Sequence, residues 1–139
     1  MKRSERGDIT IEAVVGVVAL FLILGLGLAG LRVLVADAAI DEAARSAARA
    51  ASIAHDGQAA AVTADHRARA VLAEQRLACS SLDVTVDARD FAKSFGETGY
   101  VIATVTCVVS LADLVPGIGG SQTLRSEFRS PIDRYGARR

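Results

Sequence analysis

Few side chains in this sequence of 139 residues are placed to do chemistry, and Glu12 stands out among them. It closes the stretch Arg6-Gly7-Asp8-Ile9-Thr10-Ile11-Glu12 and directly precedes Ala13 to Leu31, a run without a charged residue. An acid at the centre of a bilayer costs about 2.5 to 3.5 kcal/mol; at the edge it costs less, but a carboxylate beside Ile9 and Ile11 still calls for a positive partner. A free α-amino group on a neighbouring chain would supply one if the basic leader were removed. Gly7 is the residue at which that leader would end.

Cys79 and Cys107 are the only cysteines, and both lie in the C-terminal half. A lone pair is what an oxidising compartment would use as one disulfide, worth on the order of 3 to 4 kcal/mol for a loop of this span. The other reading is two free buried thiols. No second Cys or His pair stands at ligand spacing, so no zinc or other metal site is expected, and no cofactor. His55 and His66 each adjoin an aspartate, but eleven positions apart they do not share a helix face and read as solvated helix positions. Arg67, Arg69 and Arg76 interleave with Asp65 and Glu74, the pattern of a solvated face rather than a phosphate-binding stripe. No Cys/His or Ser/His/Asp arrangement is present, so the sequence does not read as an enzyme. Glu12 alone, on one helix, forms no proton pathway.

The elements that must position these residues differ between the two halves. Of 26 alanines, 21 precede position 80, whereas five of six aromatics follow position 90. Alanine carries no side-chain entropy cost in a helix, so the first half is expected to be helical. Lys and Arg total 16 and Asp and Glu 16; a formal net charge of zero argues against a nucleic-acid partner.

Ala13 to Leu31 spans roughly 28 Å as a helix, close to bilayer thickness, and lacks the polar face a soluble core helix needs. It is read as transmembrane, with lipid as a partner. A secretory signal is the rival, since Ala36-Asp37-Ala38 is an A-x-A site cleavable after Ala38, but the apolar run exceeds the roughly 7 to 15 residues of a signal core. Gly25-Leu26-Gly27-Leu28-Ala29-Gly30 matches the dinucleotide pattern G-x-G-x-x-G in letters only, because that loop works where a strand turns into a helix. Gly25 and Ala29, at i and i+4, would instead let another helix approach closely. Basic residues tie across the span, with Lys2, Arg3 and Arg6 before it and Arg32, Arg45 and Arg49 after it. The cysteine pair therefore decides the orientation: N-terminus cytoplasmic, C-terminal part extracytoplasmic.

Beyond the span, Ala39, Ala43, Ala47 and Ala51, with Ala36, Ile40, Ala44 and Ala48 on the adjoining row, form an apolar stripe suited to close helix packing. One helix is expected from about Ile9 to His55, a break at Asp56-Gly57, and a second helix over Gln58 to Ala78 with Ala61, Ala64, Ala68, Val71 and Leu72 on one face. The period then changes to two. Leu82, Val84 and Val86 mark a half-buried strand; Tyr100 to Leu111 marks a central strand apolar on one face and partly so on the other; Thr123 to Arg129 marks an edge strand. Phe95 to Gly99 and Pro116 to Gly120 carry turn chemistry, and Pro131 to Arg139 reads as a frayed tail. The expected fold class is α+β: a basic leader (1–7), a transmembrane helix (8–35), an extracytoplasmic Ala-rich helix (36–78) broken near 56–57, a small antiparallel sheet of three or four strands (79–130) and a flexible tail (131–139).

A basic leader ending in Gly7, Glu12 at the fifth position after it and then an apolar helix together resemble the type IV pilin and pseudopilin signal. The whole layout resembles the TadE-like pseudopilins of tight-adherence (Flp) pilus assembly. The resemblance implies cleavage by a prepilin peptidase between Gly7 and Asp8, contact of Glu12 with a neighbour's new N-terminus, and partnership with other pilin or pseudopilin subunits and the pilus assembly platform. Asp8 stands where type IV pilins carry an apolar methylated residue, and Ala13 where Flp signals favour Tyr. The chain is longer and richer in strand than the small major Flp pilin, which implies a minor pilin at the cell surface. The alternative is a membrane-anchored extracytoplasmic binding module in which Glu12 is incidental.

Overall fold

The computed structural model describes residues 5–94, 97–115 and 117–132. Helix α1 runs unbroken over Glu5–Ser52, 48 residues and so roughly 70 Å. It continues through the positions expected as the end of the leader and the end of the membrane segment. No proline interrupts it, and alanine and leucine keep its propensity high. Its two halves have different surroundings. The large apolar side chains from Val14 to Leu31 are 51–74 % exposed, whereas Ala36, Ala39, Ile40, Ala43, Ala44, Ala47, Ala48 and Ala51 are all buried. The two alanine rows expected to pack do so.

Helix α1 ends at Ser52, a turn before His55, and the Ser52 hydroxyl donates to the Arg49 carbonyl at 2.9 Å. After a short turn Asp56 caps helix α2, Gly57–Glu74, its carboxylate accepting from the Ala59 N–H at 2.8 Å. Ala60, Ala64, Ala68, Val71 and Leu72 are the buried face of α2, so Ala60 takes the place expected of Ala61, which is exposed. Small side chains on both helices let the backbones approach closely, and Arg67 Nε reaches Ser46 Oγ across the hairpin at 2.7 Å.

Helix α2 also stops a turn before Ala78. Arg76 adopts the left-handed conformation at φ 55°, its N–H bonding the Ala73 carbonyl at 3.0 Å while Leu77 N–H bonds the Leu72 carbonyl at 3.0 Å. This is a Schellman motif closed by Leu72 and Leu77, with arginine where glycine is usual.

The sheet has three antiparallel strands in sequence order: β1 (Ser81–Asp87), β2 (Tyr100–Ser110) and β3 (Ser121–Pro131). A 3-10 turn (Arg89–Ala92) lies between β1 and β2, and a single helical turn, α3 (Leu111–Leu114), between β2 and β3. Register places Cys107 between Leu82 and Leu124, Val105 between Val84 and Ser126, and Ala103 between Val86 and Phe128. That face packs on the helices, α1 against β2 and β3 and α2 against β1. Val101, Ala103, Val105, Cys107 and Val109 on the central strand are 0–1 % exposed. The other face, with Ile102, Thr104, Thr106 and Val108 at its centre, is half-buried.

The edge strand is longer than its alternation suggested, pairing with β2 from Ser121↔Ser110 to Pro131↔Tyr100. Ile132 is buried, its N–H bonding the Gly99 carbonyl at 2.9 Å, so the start of the expected frayed tail is part of the core. Positions 133–139, Phe95, Gly96 and Pro116 lie outside the described residues. Leu111, expected as the end of the central strand, instead begins α3.

Candidate functional site

The chemistry-bearing residues occupy separate stations along one rod. Glu12 lies on the first turns of α1, exposed, with no ion pair or hydrogen bond to any other described residue. Gly7 and Asp8 lie on the α1 backbone. About 36 Å of helix separates Glu12 from Ala36, where α1 first becomes buried. Among the described residues, none reaches Glu12 with a charge that would neutralise it.

Gly25 to Gly30 lies within the helix, its N–H groups engaged in helical bonding, which removes the phosphate-binding reading. Built Cβ atoms at Gly16, Gly25, Gly27 and Gly30 would meet nothing within 4 Å. Gly25 and Ala29 do have a neighbour in the chain. They line a groove of about 460 Å³ whose other wall is Leu114 and Val115 at the end of α3.

Cys79 and Cys107 form a disulfide across 28 residues of sequence, with a Cα–Cα distance of 5.4 Å, and neither thiol is free. Cys107 is fully buried on the central strand, and Cys79 precedes β1. Ser80 anchors the same segment, its N–H and hydroxyl both donating to the Val108 carbonyl at 2.8 and 2.9 Å. The bond ties the exit of α2 to the middle of the sheet. It is the covalent staple of a head whose own core is small.

One cluster was not singled out in the sequence. At the β1–β2 end of the sheet, Asp87 accepts from the side chain and backbone N–H of Arg89, and these bonds hold its pKa down to about 2. Asp90 accepts from Lys93 Nζ at 2.9 Å and the Tyr100 N–H at 3.0 Å; both bonds, Lys93 first, lower its pKa. The Arg129 guanidinium stacks 3.6 Å from the Tyr100 ring centroid. Asp87, Arg89, Asp90, Tyr100 and Arg129 line a concavity of about 260 Å³. Its acids are already neutralised by neighbours, so the cluster secures the crossing from β1 to β2. The signal was faint in sequence because Tyr100 and Arg129 meet only through strand pairing. On α2, Arg69 likewise pairs with Asp65 at i, i+4, lowering the aspartate's pKa.

His55 and His66 are exposed, and among the described residues no three His, Cys, Asp or Glu side chains converge as a metal site would require. The protein is thus an α+β chain with one N-terminal helix long and apolar enough to cross a membrane, joined to a disulfide-stapled head. Comparison with known protein families, curated proteins and solved structures finds no match for the chain.

Proposed function

We propose that the protein is a single-pass, pilin-like subunit: a minor pilin or pseudopilin that takes part in assembling a tight-adherence pilus and has no enzymatic role. The observation that carries this reading is the division of α1. One unbroken helix of 48 residues leaves its apolar N-terminal half bare and seats its C-terminal half on the sheet. A rod with a head at one end offers the bare half first to lipid and then to the corresponding helices of neighbouring subunits.

In this mechanism a prepilin peptidase cuts between Gly7 and Asp8, and the new α-amine of one subunit pairs with Glu12 of the next. Small residues on α1 allow the helices to pack. The head, on the oxidising side of the membrane where a disulfide persists, determines which subunit follows. The N-terminus is cytoplasmic and the assembly platform receives the span.

The unreduced intact mass and N-terminal sequence of the membrane-extracted protein test the processing step. A chain beginning at Asp8 is expected; a chain retaining Lys2 to Arg6 overturns it. Glu12→Leu tests the pairing: pilus assembly is expected to fail while the head keeps its disulfide and secondary structure, and unchanged assembly counts against the mechanism. The alternative of an anchored ligand-binding module has weaker support, because the charged concavity of the sheet is occupied by its own ion pairs.

A further inference from the structure

The two ends of the sheet differ in chemistry. At the end nearer the α1–α2 turn, where Gly57 meets Ala88, the connection over positions 88–99 carries Arg89, Asp90, Lys93 and Glu97. At the opposite end the connection over 111–120 carries one charge, Asp113, among Leu111, Leu114, Val115 and Ile118. This apolar end is the one that meets α1 where the uncharged span stops. Leu114 and Val115 share the 460 Å³ groove with Leu22, Gly25, Ala29 and Arg32 of α1, alongside the last turns of the span. A second groove of about 240 Å³ joins Leu114 to Arg32, Val35, Arg76 and Leu77, with Asp113 also on its wall. Ile118 is 50 % exposed.

We propose that Val115 and Ile118 form a second membrane contact, entering the acyl boundary of the leaflet from which α1 emerges, with the Arg32 and Arg76 guanidinium groups at the level of the lipid phosphates. The occupant of the groove is lipid, because its α1 wall is continuous with the bare apolar surface that the span presents to the bilayer. Depth follows from the backbone. Irregular chain is not tolerated in the hydrocarbon centre, where its polar groups lack partners. This connection bonds several of its own groups, Val115 N–H to the Leu111 carbonyl at 2.7 Å, Ile118 N–H to Val115 at 3.2 Å and Leu111 N–H to Gly120 at 3.0 Å. It is suited to the interface, where apolar side chains reach roughly 5 to 10 Å inward. Arginines beside such a surface extend their charge to the phosphates while their stems stay apolar. The contact holds the head against the membrane at two points and limits its swing about α1.

The inference rests on Ala13 to Leu31 being a membrane span, and a single-tryptophan experiment separates the two claims. The chain contains no tryptophan, so Ile118→Trp, Leu20→Trp and Ile53→Trp each place one reporter, in the apolar connection, the middle of the span and the distal α1–α2 turn. The full chain is reconstituted in phosphatidylcholine vesicles brominated either near the carbonyl or near the methyl end of the acyl chain. Gly119→Trp, where an added Cβ meets nothing within 4 Å, is read in parallel as a second reporter of the connection. The expected result is blue-shifted emission from Ile118→Trp relative to Ile53→Trp, with stronger quenching by shallow than by deep bromines, and the reverse preference for Leu20→Trp. Emission matching Ile53→Trp overturns the contact while leaving the span intact. Blue-shifted emission without quenching means protein covers the groove and overturns the lipid assignment. If Leu20→Trp is itself unquenched, the span reading fails and the inference with it.

Discussion

Replacing both cysteines by alanine removes the one covalent cross-link of the head, and its cost follows from where the structure places it. The bond closes a loop of 28 residues, which in the chain-entropy account restricts the unfolded chain by about 3.6 kcal/mol at 25 °C. Because Cys107 is fully buried on the central strand, alanine there also loses packing, so a second arm with the wild-type chain reduced separates cross-link from contact. For a head of this size each kcal/mol moves the thermal midpoint by roughly 4 to 8 °C, so a fall of about 15 to 30 °C is expected in the reduced arm, and at least as much in the alanine arm. Urea unfolding followed by far-UV circular dichroism, with the chain in nanodiscs, measures the free energy directly. A loss below about 1 kcal/mol in both arms would refute the reasoning. It would mean that the α2 exit and the central strand stay associated in the unfolded chain without the bond. A loss in the alanine variant alone would assign the effect to packing around Cys107.

Ala64→Leu inserts bulk between two helices that touch through fully buried alanines and is expected to destabilise the head by about 1 to 3 kcal/mol in urea titration, whereas Ala61→Leu, one position around α2 and exposed, should change it little. Arg76→Gly relieves a left-handed arginine and is expected to raise stability by about 0.5 to 1 kcal/mol; a loss would show that the side chain itself matters more than the backbone strain. The lowered pKa values of Asp87, Asp90 and Asp65 make their contribution complete above the ordinary carboxylate value of 3.8 and lost as pH falls through the folded-state values, about 2 for Asp87. The urea midpoint should therefore be insensitive to these groups between pH 5 and 8 and fall between about pH 4 and 2, less steeply in Asp87→Asn. Parallel acid profiles for the variant and the wild type would remove Asp87 from that account.

Much of the fold was legible because local periodicity and burial agree. The alanine rows at a spacing of four predict the packed face of α1 at all eight positions, and the alternation in Leu82 to Val86 and Tyr100 to Ser110 predicts which strand faces meet the helices. The helix ends were less legible. Nothing in Glu74-Gln75-Arg76-Leu77-Ala78 breaks a helix by residue type. Helix α2 stops there because Leu77 turns back to Leu72 in a local cap and Cys79 is drawn to the central strand, a long-range demand that overrides propensity. Ala60 replaces Ala61 for a similar reason: in an alanine-rich helix the facing direction is weakly marked, and the partner surface chooses.

The sequence by itself determined that an uncharged helix of membrane length precedes a mixed helix-and-strand head, since length, charge and periodicity follow from residue types along the chain. It also placed Glu12 and the cysteine pair at the positions where chemistry could occur. The tertiary structure decided what depends on distant residues meeting: the register that sets Cys107 between Leu82 and Leu124, the bond from Cys107 to Cys79, and the pairing that brings Arg129 over Tyr100. It also decided that the apolar end of the sheet lies beside the end of the span. That adjacency depends on the direction in which β2 crosses α1, and direction is a property of packing rather than of any residue.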